Sequence, residues 1–146
     1  MFEQLPDSSR VWIYTADKSL SSIEDSLNTD ISQFFSRWAA HGSGLFGDGK
    51  IIKNFFLVLV VDESKVGASG CSIDSSVKFI KSLGEKYGID FFNRLNMVVR
   101  ENGTDSLVHF SELKKYNSAE LYDPMITDLG NLRSNWLRPV SKTSYV

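Results

Sequence analysis

The pattern of apolar residues predicts a single α+β domain over residues 1–146. Three observations predict it. Arg10-Val11-Trp12-Ile13-Tyr14-Thr15 is β-branched and aromatic, as strands are. Ile23, Leu27, Ile31, Phe34, Phe35 and Trp38 recur every three or four residues, the stripe of a helix packed on one face. Phe55-Phe56-Leu57-Val58-Leu59-Val60-Val61 is apolar throughout, which marks a strand covered on both sides.

The first strand is expected over residues 10–15. Ser21 and Glu24 then stand three apart as a capping box, and the helix they open should run to about His41 and stop at Gly42. Residues 42–49 read as a loop. A hairpin follows, with strands at 50–53 and 55–61 and a tight turn or bulge near Lys53 and Asn54. A second helix should begin near Cys71 or Ser72, carry Ile73, Val77, Ile80, Leu83 and Tyr87 on one face, and end at Gly88 as C-cap. Residues 96–100 read as a fourth strand. Asn102-Gly103 is a hairpin turn signal, so residues 107–110 add a short edge strand. Ser111 can cap a short helix to Tyr116. Leu129, Leu132 and Trp136 fit one helical face, ended by Pro139.

The order β-α-β-β-α-β is that of the ferredoxin-like fold, with a core at about 10–101, an appendage at about 102–140 and a tail at 141–146. That fold sets its first and third strands side by side and parallel, with both helices on one face. Because residues 55–61 are apolar on both sides, the other face needs a cover. Either the helical or irregular C-terminal appendage supplies it, or another copy of the chain does.

Composition narrows function by exclusion. The net charge of -2 gives no electrostatic case for nucleic acid or an anionic membrane. A single cysteine makes no internal disulfide, and the first residues lack the basic and apolar regions of a signal peptide, so a cytoplasmic protein is expected. The apolar run at 55–61 is too short to cross a bilayer as a helix.

Two glycine patterns invite a nucleotide. Gly44-x-x-x-x-Gly49-Lys50 fits most of a Walker A motif, and Gly42-Ser43-Gly44-Leu45-Phe46-Gly47 fits a dinucleotide fingerprint. Each needs a strand before it and a helix after it, so that helix amides meet the phosphates. Here a helix precedes and a strand follows, and Ile51 stands where a magnesium-binding hydroxyl belongs.

The stretch from Val60 to Ser76 has the right order: strand, glycine loop, helix. Gly67 and Gly70 can turn amides outward, and Ser69, Ser72 and the first helical amides can hold a carboxylate or phosphate. Asp74, placed in the first helical turn, opposes a strongly anionic ligand. The plainer reading makes Cys71 or Ser72 the helix cap. Cys71 at a helix start is a possible nucleophile or redox thiol, with His41 or His109 as the only imidazole bases; packed in the loop, it is a buried structural cysteine. If the first and third strands are parallel neighbours, Asp17 and Lys18 lie beside Asp62, Glu63, Ser69, Gly70, Cys71 and Ser72. Three acids there can take a hard cation, supply an acid–base group, or pair with Lys18 and Lys65. The histidines and cysteine give no zinc pattern, and no metal or cofactor is implied. Arg94, after Phe91-Phe92-Asn93, can be functional, though a surface ion pair is the plainer expectation.

Val11-Trp12-Ile13-Tyr14-x-Ala16-Asp17, Asp62-Glu63-Ser64-x-Val66-Gly67-Ala68-Ser69-Gly70-Cys71-Ser72-Ile73-Asp74-Ser75-Ser76-Val77, Asp90-Phe91-Phe92-Asn93-Arg94-Leu95 and Asn135-Trp136-x-x-Pro139-Val140 carry a resemblance. Over nearly its whole length the chain resembles a family of short uncharacterised Bacteroidetes proteins. Its members often carry the label "ABC transporter ATPase". The label finds no support in these residues, which hold no Walker A motif in context and no Leu-Ser-Gly-Gly-Gln signature. The resemblance implies no catalytic residue.

The sequence thus predicts a module that binds a small polar ligand or a protein partner at an edge built from Asp17, Lys18, Asp62, Glu63, Ser69, Gly70, Ser72 and Asp74. Two other readings stand beside it: a small enzyme using Cys71, with Asp62, Glu63 or a histidine assisting, and a homo-oligomer joined through its apolar sheet face. ATPase activity is not expected.

Overall fold

The strand over Phe56–Asp62 is the one around which the other layers stack. The computed structural model describes every residue of the chain except His41. In order, its elements are β1 (Arg10–Thr15), α1 (Glu24–Phe35), the two-residue strands β2 (Ala39–Ala40) and β3 (Ser43–Gly44), β4 (Phe46–Ile52), β5 (Phe56–Asp62), α2 (Gly70–Tyr87), β6 (Asn96–Glu101), β7 (Thr104–His109), β8 (Glu120–Tyr122), α3 (Leu129–Ser134) and β9 (Leu137–Pro139). A 3-10 helix over Phe110–Tyr116 joins β7 to β8, and another over Val140–Lys142 follows β9. The fold is α+β. No helix among the described residues is long and apolar enough to cross a membrane.

The strands divide into two sheets, β1-β5-β4 and β7-β6-β8-β9, with β2 and β3 as a separate small ribbon. Alternation along β5 explains why both its faces are apolar. Leu57, Leu59 and Val61 pack under α1 and α2 with Leu27, Ile31, Phe35, Ile80 and Leu83. Phe56, Val58 and Val60 face the other way, onto Val98 of β6, Tyr122 of β8 and Leu129, Leu132 and Trp136. Each such side chain contributes about 1.5–3 kcal/mol by leaving water. The outer face of the second sheet is closed by Leu113, Ala119 and Val140. The cover for the apolar sheet is therefore the chain's own, a second sheet and α3 from its C-terminal third together with the N-terminal Phe2 and Leu5, rather than a helical or irregular appendage alone.

The ferredoxin-like arrangement is corrected on its central point. β1 and β5 are neighbours, but antiparallel, with Arg10 opposite Val61 and Thr15 opposite Phe56. The fourth expected strand, β6, belongs to the other sheet. The reason lies in the doubly apolar β5: one layer of helices covers one of its faces, and β6 to β9 are needed over the other.

Some local signals are realised and others are not. Lys53 and Asn54 both have positive φ, as a hairpin turn needs, and so do Asn102 and Gly103. Gly88 caps α2 in the left-handed region, as expected. α1, in contrast, has Ile23 at its N-cap with no side-chain bond, so Ser21 and Glu24 do not form the box. It also ends at Phe35, because the Trp38 indole is buried and donates to Ser72 O at 2.8 Å. The expected end at His41 lies outside the described residues.

The 42–49 loop is largely strand. A Cβ at Gly49 would strike the Phe35 ring, and one at Gly47 would sit 2.8 Å from Val60 O. Gly49 lets α1 lie close on β4, and Gly47 leaves room for the β5 backbone and the Trp38 ring.

Candidate functional site

The corner after β5 is built to close on itself. Ser69, not Cys71 or Ser72, is the N-cap of α2, and its Oγ accepts from Ser72 N–H at 3.1 Å. Ser72 is buried; its Oγ donates to Ser69 O, and its carbonyl accepts from Trp38 and from Ser75 Oγ. Glu63 accepts from Ala68 N–H at 2.9 Å and lies 3.8 Å from Arg10. Asp62 accepts from Ser64, and those bonds hold its carboxyl below the ordinary value. Since the helix starts at Gly70, Asp74 falls in its second turn. Gly70, Cys71 and Asp74 are exposed. Cys71 is thus not the buried structural thiol that the loop composition favoured.

Asp17 and Lys18 do not join this corner. Antiparallel pairing sets Thr15 at the Phe56 end of β5 and Asp62 at the Arg10 end, so five strand steps, about 17 Å, separate the two loops. Asp17 instead accepts from Asp90 N–H at 3.1 Å, beyond the C-terminal end of α2. The three acids do not converge. Among the described residues no group of three His, Cys, Asp or Glu side chains is placed to hold a metal. His109, one of the two expected bases, is engaged in capping its own 3-10 helix through Ser111 N–H, and His41, the other, lies outside the described residues.

A different set of residues comes together at the Thr15 end. On the side of β1 away from β5, Val11 N–H donates to Thr127 O and Leu129 N–H donates to Ser9 O. Residues 127–129 so pair with the start of β1 and go no further along it. Asp123 Oδ1 accepts from Met125 N–H in a local turn, Asp123 N–H donates to Trp136 O, and the chain bends away at Pro124. Strand alternation puts the backbone groups of Ile13 and Thr15 on the same side as Val11 N–H. Among the described residues those outward groups have no hydrogen-bond partner.

This open edge forms one wall of a cleft. Two adjoining hollows of about 290 and 250 Å³ share Ile13, Tyr14, Arg94, Pro124 and Met125, and Phe92 lines the larger. The Phe92 ring meets Tyr14 edge-on at 5.6 Å, and Lys81 lies 5.8 Å above it. Phe92, Leu95, Phe110 and Met125 are all exposed, Met125 at 71%. Phe110 N–H donates to Leu95 O, which sets those two residues together beside the loop that carries Phe92. Arg94 is the only charged residue lining either hollow, and among the described residues it forms no ion pair, contrary to expectation. Burial raises the Tyr14 phenol above its ordinary pKa, so it stays neutral.

Two other hollows are already committed. A hollow of about 410 Å³ includes Arg100 and Arg133, but Arg100 bonds Asp105 and Tyr122, while Arg133 bonds Asp7 and three N-terminal carbonyls. The groove between α1 and α2 is crossed by Lys86 and Tyr87, both bonded to Asp30.

No protein-family model, curated protein or solved structure matches the chain. The cleft residues carried only faint sequence signals. Phe91-Phe92-Asn93-Arg94 puts two aromatics and a cation in a loop, and Asp123-Pro124 marks a turn, but nothing local says that the two meet across β1.

Proposed function

We propose that the protein is a binding module whose site is the cleft beside Ile13, Tyr14 and Thr15, and that it takes an apolar group carrying a negative charge. The observation that supports this reading is a guanidinium, Arg94, without an ion-pair partner among the described residues and set among Phe92, Pro124 and Met125. An apolar wall supplies affinity and a single polar group supplies orientation, the usual division in binding sites. The enzyme reading has less behind it, because His109 caps its own 3-10 helix and Asp62 and Glu63 are engaged by backbone amides of their own loop. The oligomer reading loses its motive, because the apolar face of β5 is covered by the second sheet.

The test uses 8-anilinonaphthalene-1-sulfonate, an aromatic anion, followed by its emission and by two-dimensional NMR of the labelled protein. Shifts should concentrate at Ile13, Tyr14, Phe92 and Arg94. Met125→Asp should weaken binding roughly tenfold by removing apolar contact and adding repulsion. Shifts confined to the α1–α2 groove, or unaffected by Met125→Asp, would move the site elsewhere.

A further inference from the structure

We infer that the occupant of the cleft is an extended segment of another protein, added to β1 as a further strand and carrying an acidic side chain that meets Arg94. This rests on the cleft being the binding site and goes beyond it. The outward N–H and C=O groups of Ile13 and Thr15 recur about 7 Å apart along β1. A second extended backbone repeats at that spacing; a small ligand does not.

Exposed edges are normally blunted by a charge, a proline or a bulge. Trp12-Ile13-Tyr14-Thr15 has none of these and is built from strong strand formers. Residues 127–129 show that this side of β1 accepts a strand, since they already pair with it antiparallel at Arg10. Side chains of an incoming strand alternate, so one set meets Phe92 and Tyr14 while the other meets Met125. Charge complementarity fixes the remaining feature, because Arg94 is the one charge lining the hollows and has no internal partner among the described residues.

A displayed library of random peptides about six residues long, the usual strand length, should be selected on wild-type protein and against Thr15→Pro. Thr15 N–H points outward, so proline there removes a docking donor and leaves the β1–β5 ladder intact. Selected peptides should be rich in β-branched residues, contain Asp or Glu, and bind at least about tenfold more weakly to Thr15→Pro and to Arg94→Gln. N-methylation of alternate peptide residues should abolish binding while methylation of the intervening ones is tolerated. That series carries the test on wild-type protein if Thr15→Pro fails to fold. Peptides indifferent to Arg94 or to every N-methyl group overturn the inference, as does a library yielding no binder. Continued binding of the aromatic sulfonate in that case leaves the cleft a site and removes only the strand. A concentration-dependent dimer abolished by Thr15→Pro overturns it in favour of a second copy.

Discussion

The two ends of β1 make opposite use of similar backbone. Near Arg10, residues 127–129 pair with the strand, Glu63 approaches Arg10, and the Ser69–Ser72 corner turns its hydroxyls inward. Near Thr15, backbone groups and an arginine are left without hydrogen-bond or ion-pair partners among the described residues, and Phe92 and Met125 stay exposed beside them. The first end is dense in serine, glycine and acid yet offers little to a ligand. The second is ordinary in composition and offers a great deal. Unsatisfied groups, rather than polar residues as such, mark a place where something binds.

The contrast can be broken by substitution. Trp38→Ala should cost the most, about 3–5 kcal/mol in urea unfolding, because it opens a cavity and strips Ser72 O of its indole donor. A loss below about 0.5 kcal/mol would remove the structural account of the corner. Ser69→Ala should cost about 1 kcal/mol through the lost cap. Acid should act more weakly. Asp128 accepts from Asn131 N–H at the start of α3, and that bond lowers its carboxyl below the ordinary 3.8. A depressed carboxyl contributes stability above its unfolded pKa and loses it as pH falls through the folded one. Wild-type unfolding free energy should therefore drop below pH 3.8, and Asp128→Asn should flatten that limb; an unchanged limb would exclude the bond as its source. The smallest effects belong to the cleft. Arg94→Gln, Met125→Asp and Cys71→Ser should each change stability by less than about 0.5 kcal/mol, since all three side chains are exposed. A larger change would show that these side chains hold the fold together.

Periodicity and turn chemistry made much of the fold legible. The doubly covered β5, the Gly88 cap and the Asn102-Gly103 turn are local statements, and each is realised. Sheet membership was not legible, because a strand's partner is chosen by which apolar faces fit, not by its own residues. That choice decided the site. Antiparallel pairing of β1 with β5 carried Asp17 and Lys18 away from Asp62 and Glu63, and the predicted edge came apart with it. Gly47 and Gly49 were read as loop residues, although their role appears only once Val60 and Phe35 lie beside them. Arg94 was noticed, but its lack of a counter-ion is a property of distant neighbours.

The Lys53-Asn54 turn has a consequence for the order in which the molecule assembles. It joins β4 to β5 locally, and Asn102-Gly103 does the same for β6 and β7, so both hairpins can close within microseconds. Pairing of residues 127–129 with the start of β1 must instead bring together positions separated by most of the chain, a slow closure. During refolding, pulse-labelled amide exchange should find Val58 and Val60 protected before Val11. The border of the cleft is thereby the last part of β1 to be sealed, and its far end is never sealed by the chain itself.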